Sequence, residues 1–173
     1  QTEEAARAAA ESRHFVVKED AGRGWRRVVP SPKPKRVIET SAIELLLAGG
    51  VTVIAAGGGG VPVVMTEDKG LNAVEAVIDK DFSAAVVAEM LHADRLVILT
   101  AVDEVTINYR KPDEVPLHTI STDELERYAA DGQFGAGSML PKVQAAIQFV
   151  RASGRPASIG SLDKVTDVIA GIS

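Results

Sequence analysis

Two lysines stand where a lysine is electrostatically misplaced. The first lies in AVIDKD, residues 76–81, directly ahead of the helical run FSAAVVAEMLHA. Carboxylates such as Asp79 and Asp81 complement the positive end of a helix dipole, whereas Lys80 opposes it. A lysine between two aspartates at a helix start is useful when its ammonium points at an anion. Asp81 then fixes that lysine, or orients more than one. A solvated charge cluster capping a helix is the commoner use of such residues and stays open. The second lysine closes GQFGAGSMLPK, residues 132–142. Gly135 and Gly137 make a flexible loop, Ser138 is a candidate N-cap, and Pro141 is tolerated in a first helical turn. Lys142 then also sits near the wrong end of a dipole. Free N–H groups at such a start, over Gly137, Ser138 and Met139, together with a lysine, suit a nucleotide phosphate; a plain loop with a surface lysine is the alternative. Two lysines misplaced in the same way favour one anion between them.

Other segments fit the same chemistry. In VTVIAAGGGGVPVV a buried-looking strand runs into Gly57, Gly58, Gly59 and Gly60. Glycine is the costliest residue to order, so four in a row call for a reason. Loops at strand C-termini in open α/β sheets are where ligands bind, and bare backbone N–H groups approach a phosphate closely. The competing explanation is a crowded turn. Neither GxxxxGK[ST] nor GxGxxG is present, so the P-loop and dinucleotide folds gain no support. Thr100, Ala101 and Val102 end another apolar strand, a natural position for a base or ribose. Tyr109 could stack on a base, although a lone tyrosine beside a turn more commonly packs. His14, His92 and His118 form no cluster and read as structural. The sequence assigns no metal ligands.

The elements that must hold these groups alternate. Residues 2–12 are strong helix formers with Thr2 as N-cap, and 15–18 and 25–29 are short strands around the turn EDAGRG. PSPKPK, residues 30–35, is neither regular helix nor central strand, and marks a boundary. It predicts a hairpin-bearing lid subdomain over 1–35 and a main body over 36–173. In that body the pattern predicts helices at 38–48, 80–92, 121–130, 140–153 and 161–170. Strands are predicted at 51–56, 95–100 and 156–160, with an extended run near 105–109. Apolar β-branched strands separated by helices imply an α/β fold with a mostly parallel sheet.

Composition narrows the class. Hydrophobic residues are 46% of the 173, enough for a folded domain, with a core resting on Val, Ile, Leu and Ala because only four Phe, two Tyr and one Trp are present. A net charge of −5 argues against a nucleic-acid binder, so any anion site is local. The absence of cysteine removes a disulfide framework, a thiolate nucleophile and a Cys-ligated zinc. No apolar run has the length of a membrane helix, and the polar, helical residues at the start of this sequence contain no signal-peptide h-region. A soluble, cytoplasmic protein is the expectation. The start at Gln1, inside an Ala-rich helical pattern, reads like a piece beginning in mid-protein.

Six ordered blocks, KEDAGRGWRRVVPSPKPK, VIAAGGGGVPVV, AVIDKD, ILTAVD, INYRKPD and GQFGAGSMLPKVQAAIQFV, resemble carbamate kinase, of the amino-acid kinase fold group. The resemblance implies a three-layer αβα sandwich, usually in a homodimer, and a cytoplasmic enzyme of arginine metabolism. The reaction it implies is reversible phosphoryl transfer between carbamoyl phosphate and ADP, giving ATP and carbamate, with Mg²⁺. It implies that Lys80 and Lys142 contact the transferring phosphate, that Asp81 organises them, and that the segment up to about Lys35 belongs to a protruding lid. Motifs from the family's N-terminal half are absent from these 173 residues, which implies that this chain alone is incomplete. A non-catalytic nucleotide sensor, or another small-acid kinase of the fold group, remains the alternative. Arg110 stands where members often have Gly, and Gly160 where Thr is common; the first puts the turn beside Tyr109 in question.

Overall fold

The computed structural model describes residues 2–20, 22, 24–68 and 70–171, and divides the chain into two units. Ala21 and Arg23 of the expected hairpin turn lie outside the described residues. One unit comprises Gln1–Pro32 and Val61–Ile78, the other Lys33–Gly60 and Asp79–Ser173.

In the smaller unit α1, Glu3–Arg13, starts where Thr2 accepts a hydrogen bond from the Ala5 amide. Strands β1, Val16–Glu19, and β2, Trp25–Val28, pair antiparallel with Val16 opposite Val28. Arginines cover the few aromatics: Arg7 lies 4.9 Å over Trp25 and Arg27 5.0 Å over Phe15. The second segment forms another antiparallel pair, β3, Val63–Met65, with β4, Leu71–Ala73. The Val77 amide donates to the Pro30 carbonyl at 3.0 Å, joining the two segments. The first crossing between the units, Pro32 to Lys33, lies within PSPKPK, and Val61–Ile78 joins the smaller unit from beyond the glycine run.

The larger unit holds α2, Thr40–Ala48; α3, Lys80–Met90; β5, Leu96–Thr100; β6, Val105–Ile107; β7, Val115–Leu117; α4, Thr122–Ala130; α5, Met139–Ser153; β8, Ala157–Ser161; a 3₁₀ turn at Leu162–Lys164; and α6, Val165–Ala170. Strands β5 and β8 are parallel, with Leu96 opposite Ala157 and Thr100 opposite Ser161, so both end on the same edge. Strands β6 and β7 form an antiparallel hairpin whose second strand the sequence pattern did not reveal. Phe82, Ala85 and Ala88 of α3 pack on Ala145, Ala146 and Phe149 of α5 and on Leu96 and Ile98 of β5. A second cluster joins Val143 and Ile147 of α5 to Val105 and Phe134. These contacts set the two helix starts side by side, because Phe82 adjoins Asp81 and Val143 adjoins Lys142.

One expected strand does not form. Residues 51–56 run without a ladder partner among the described residues, and Ile54 is 98% exposed. A strand is defined by its neighbours, and β-branched composition alone cannot supply one. Ahead of this segment α2 ends at Gly49-Gly50 as expected, with Gly50 at φ 77°.

Candidate active site

The first turn of α3 is built for charge. Asp79 is its N-cap, and its side chain accepts from the Asp81 amide at 2.8 Å. That cap turns Lys80 and Asp81 into the first helical positions. The Asp81 side chain is only 8% exposed, and its Oδ2 takes two ammonium groups: Lys142 Nζ at 2.9 Å and Lys80 Nζ at 3.7 Å. Lys142 is nearly buried at 12% exposure, whereas Lys80 is 59% exposed. The inner lysine is held closely, and the outer one is exposed and only loosely paired. With Asp79 counted, two carboxylates stand beside two ammoniums, so the attraction for an anion comes from the exposed Lys80 ammonium and the positive end of α3.

The glycine loop is tied to the same turn. Ser83, 1% exposed, donates its hydroxyl to the Gly59 carbonyl at 2.6 Å. Gly57, Gly59 and Gly60 have φ of 46°, 135° and 88°, which explains three glycines by backbone conformation. Gly58 has no such need, and a side chain there would meet only open space. The crowded-turn explanation therefore fails at Gly57, Gly58 and Gly60, where nothing lies within 4 Å of an added Cβ. Ala56, at φ 61°, extends the left-handed stretch ahead of the loop.

Ser138 is the N-cap of α5, as the sequence suggests, but its side chain makes no capping bond. Backbone does the work instead, since the Ser138 and Leu140 amides both donate to the Gly135 carbonyl. Gly135 is glycine for space, its missing Cβ lying 2.8 Å from Ser138 Oγ, while Gly137 faces an open region. Met139 opens the helix and Lys142 follows within its first turn.

The remaining candidates lie apart. Thr100 ends β5, and Ala101 and Val102 follow at the edge where β5 and β8 both terminate. There Lys164 donates to Asp103 at 2.9 Å, tying the two strand ends. No polar contact among the described residues joins Thr100, Ala101, Val102 or Tyr109 to the lysine pair. In the turn beside Tyr109, Arg110 adopts φ 61° and lays its guanidinium 5.2 Å over the Tyr109 ring. Gly160 also has a local reason: a Cβ there would sit 2.6 Å from a Val168 methyl carbon. His14 caps α1, the His92 carbonyl accepts from Arg155, and His118 lies 3.7 Å from Glu104. Sequence reasoning missed Ser83 and Lys33, whose ammonium lies 4.7 Å over Phe82. The available signal for Ser83 was a hydroxyl inside an otherwise apolar helix face.

Among the described residues no three acidic or histidine side chains cluster as a cation cage. Asp81, the buried carboxylate here, is already spanned by ammoniums. These residues do not by themselves fit a resident divalent ion.

Residues 5–161 match the amino acid kinase family. The chain belongs to that family. It is 54% identical over 160 residues to a carbamate kinase of Latilactobacillus sakei, covering 91% of this chain and 49% of the relative. A Thermococcus kodakarensis carbamate kinase is 51% identical over 169 residues, covering 98% of this chain and 53% of the relative. Among solved structures, the carbamate kinase of Giardia lamblia bound to AMP-PNP superposes with TM-score 0.89 at 43% identity, covering 99% of this chain and 54% of that one. A structure from Aeropyrum pernix superposes with TM-score 0.93 at 43% identity, covering 99% and 55%. This amino acid kinase chain therefore spans about half the length of the relatives it matches. Its α/β class and parallel ladder agree with the fold expected from the sequence.

Proposed function

We propose that this chain carries the nucleotide side of a carbamate kinase, an enzyme that reversibly moves a phosphoryl group from carbamoyl phosphate to ADP, yielding ATP and carbamate. The observation that supports this most is the pair of ammoniums from Lys80 and Lys142 on one buried carboxylate. Phosphoryl transfer needs alignment and charge stabilisation more than covalent chemistry. Lys142, fixed by Asp81, offers a set charge to the transferring group. Lys80 follows that group between donor and acceptor. The loop Gly57–Gly60 offers backbone N–H groups, Gly137, Ser138 and Met139 meet the nucleotide phosphates, and Thr100, Ala101, Val102 and Tyr109 border the base and ribose. Mg²⁺ would belong to the nucleotide substrate, where it would supply charge neutralisation, and no residue of this chain is assigned to hold it. The likeness to whole carbamate kinases supports a homodimer with a three-layer αβα body, and a cytoplasmic role in arginine metabolism. It also supports the smaller unit as part of the lid over the carbamoyl phosphate. No helix among the described residues is long and apolar enough to cross a membrane.

The test joins this chain to the part of the Latilactobacillus sakei enzyme that it does not cover and supplies carbamoyl phosphate and ADP. ATP formation is the expected result. Lys142→Ala is expected to weaken ADP binding by ~1.5–3 kcal/mol, the worth of one charge-assisted hydrogen bond. The 173-residue chain by itself should bind ADP weakly and make no ATP. ADP binding without turnover in the joined protein would favour a nucleotide sensor, and unchanged ADP affinity in Lys142→Ala would refute the role of that lysine.

A further inference from the structure

The Ser83 hydroxyl stands out among the buried polar groups of the larger unit. It is 1% exposed, on the same helical turn as Lys80 and Asp81, and its partner is the carbonyl of a loop residue, Gly59, 24 positions away. The bond is short at 2.6 Å. A buried serine elsewhere in a helix commonly returns its proton to the carbonyl one turn back. Ser153 does this, donating to Phe149 at 2.6 Å. Ser83 instead reaches out of its helix to the glycine loop.

The consequence follows from peptide geometry. A trans peptide is planar, and its C=O and N–H point in opposite directions. Holding the Gly59 carbonyl against α3 therefore turns the N–H of the same peptide, that of Gly60, away from α3. Among the described residues the Gly60 amide has no protein acceptor. Gly60 itself is exposed, and a Cβ on it would meet nothing within 4 Å. Among the described residues this N–H is thus unpaired, on an exposed residue, and its peptide is held from behind by Ser83. Gly60, at φ 88°, flanks the same peptide in the left-handed region that glycine tolerates.

We infer that Ser83 is a positioning residue for phosphoryl transfer: by holding the Gly59 carbonyl it aims the Gly60 amide at an oxygen of the nucleotide phosphates. This rests on the functional reading above and deepens it. One turn of α3 then references both halves of the anion site. Asp81 sets the two ammoniums and Ser83 sets the backbone donor, so their spacing is fixed by a rigid helix instead of by the loop.

The test compares the wild-type chain with Ser83→Ala, measuring ADP and adenosine binding by calorimetry and following the Gly60 amide by ¹⁵N NMR during titration. In the wild type the Gly60 amide resonance should move on adding ADP and stay in place with adenosine. In Ser83→Ala the ADP affinity should fall by about tenfold, the scale of one well-made hydrogen bond to a charged oxygen. Adenosine binding should be unchanged, which also shows that the variant is folded, and the Gly60 response to ADP should vanish. An alanine variant with wild-type ADP affinity and an intact Gly60 response would overturn the inference alone. A wild-type chain that binds no ADP would overturn both it and the functional reading.

Discussion

Asp81 and its two lysines differ in what each contributes. Lys142 and Asp81 are a nearly buried pair, so removing the carboxylate strands an ammonium with little access to water. Asp81→Asn is expected to cost about 2–4 kcal/mol in denaturant unfolding, as breaking a buried pair does. Lys80, largely exposed and 3.7 Å away, is a weak partner. Lys80→Met should leave stability within about 0.5 kcal/mol while weakening ADP binding. A Lys80→Met loss as large as that of Asp81→Asn would show that Lys80 is not a weak partner. Arg110 offers a separate test of backbone strain, since it holds φ 61° without being glycine. Arg110→Gly and Arg110→Ala both lose the contact with Tyr109. The glycine variant should nonetheless be more stable than the alanine variant by about 1 kcal/mol, the penalty of a Cβ in the left-handed region. Alanine melting at the same temperature would remove strain as the explanation.

At the scale of elements, most helices were legible because caps and apolar periodicity act locally. Thr2 caps α1, Asp79 caps α3 and Ser121 caps α4, each through its side chain. The start of α5 was read correctly although the Ser138 side chain makes no capping bond, because the Gly135 carbonyl accepts from the Ser138 and Leu140 amides. Strands were less legible. Residues 51–56 have strand composition and no ladder, while β7, with Pro116 inside it, has a ladder that its composition hides. The ends of β5 and β8 carry a prediction of their own. The hydrogen bond from Lys164 holds the Asp103 carboxyl below the ordinary carboxylate range, and Asp103 in turn raises Lys164. A lowered carboxyl stabilises above its unfolded value and loses that contribution as pH falls through its folded one. A raised lysine stabilises below its unfolded value and loses it as pH climbs through its folded one. The stability difference between wild type and Lys164→Met should therefore be flat through neutral pH. It should shrink at both the acidic and the alkaline extreme, and with added salt because the pair is exposed. Urea unfolding across pH measures this, and a difference that peaks at either extreme would contradict the assignment.

At the scale of the whole chain, the two units are not two consecutive stretches. PSPKPK marked the first crossing between them, because three prolines in six residues forbid regular structure. The return of Val61–Ile78 to the smaller unit had no comparable mark, since VPVVM reads as well for one sheet as for another. Leu45 and Ile54, 76% and 98% exposed, show the larger unit with apolar surface that its own residues leave uncovered. That agrees with a chain spanning half of its relatives, and it is why turnover is expected only when the other half is supplied.

Dipole position alone singled out Lys80, Asp81 and Lys142, since a lysine at a helix start is unfavourable wherever the helix lies. Order of motifs, likewise a property of the linear chain, carried the family. Which oxygen receives the two ammoniums, and that Ser83 holds the glycine loop, were settled by packing between segments far apart in sequence, here 61 and 24 residues. Local preferences are written residue by residue, but a contact between distant segments exists only once Phe82 and Phe149 have set α3 against α5.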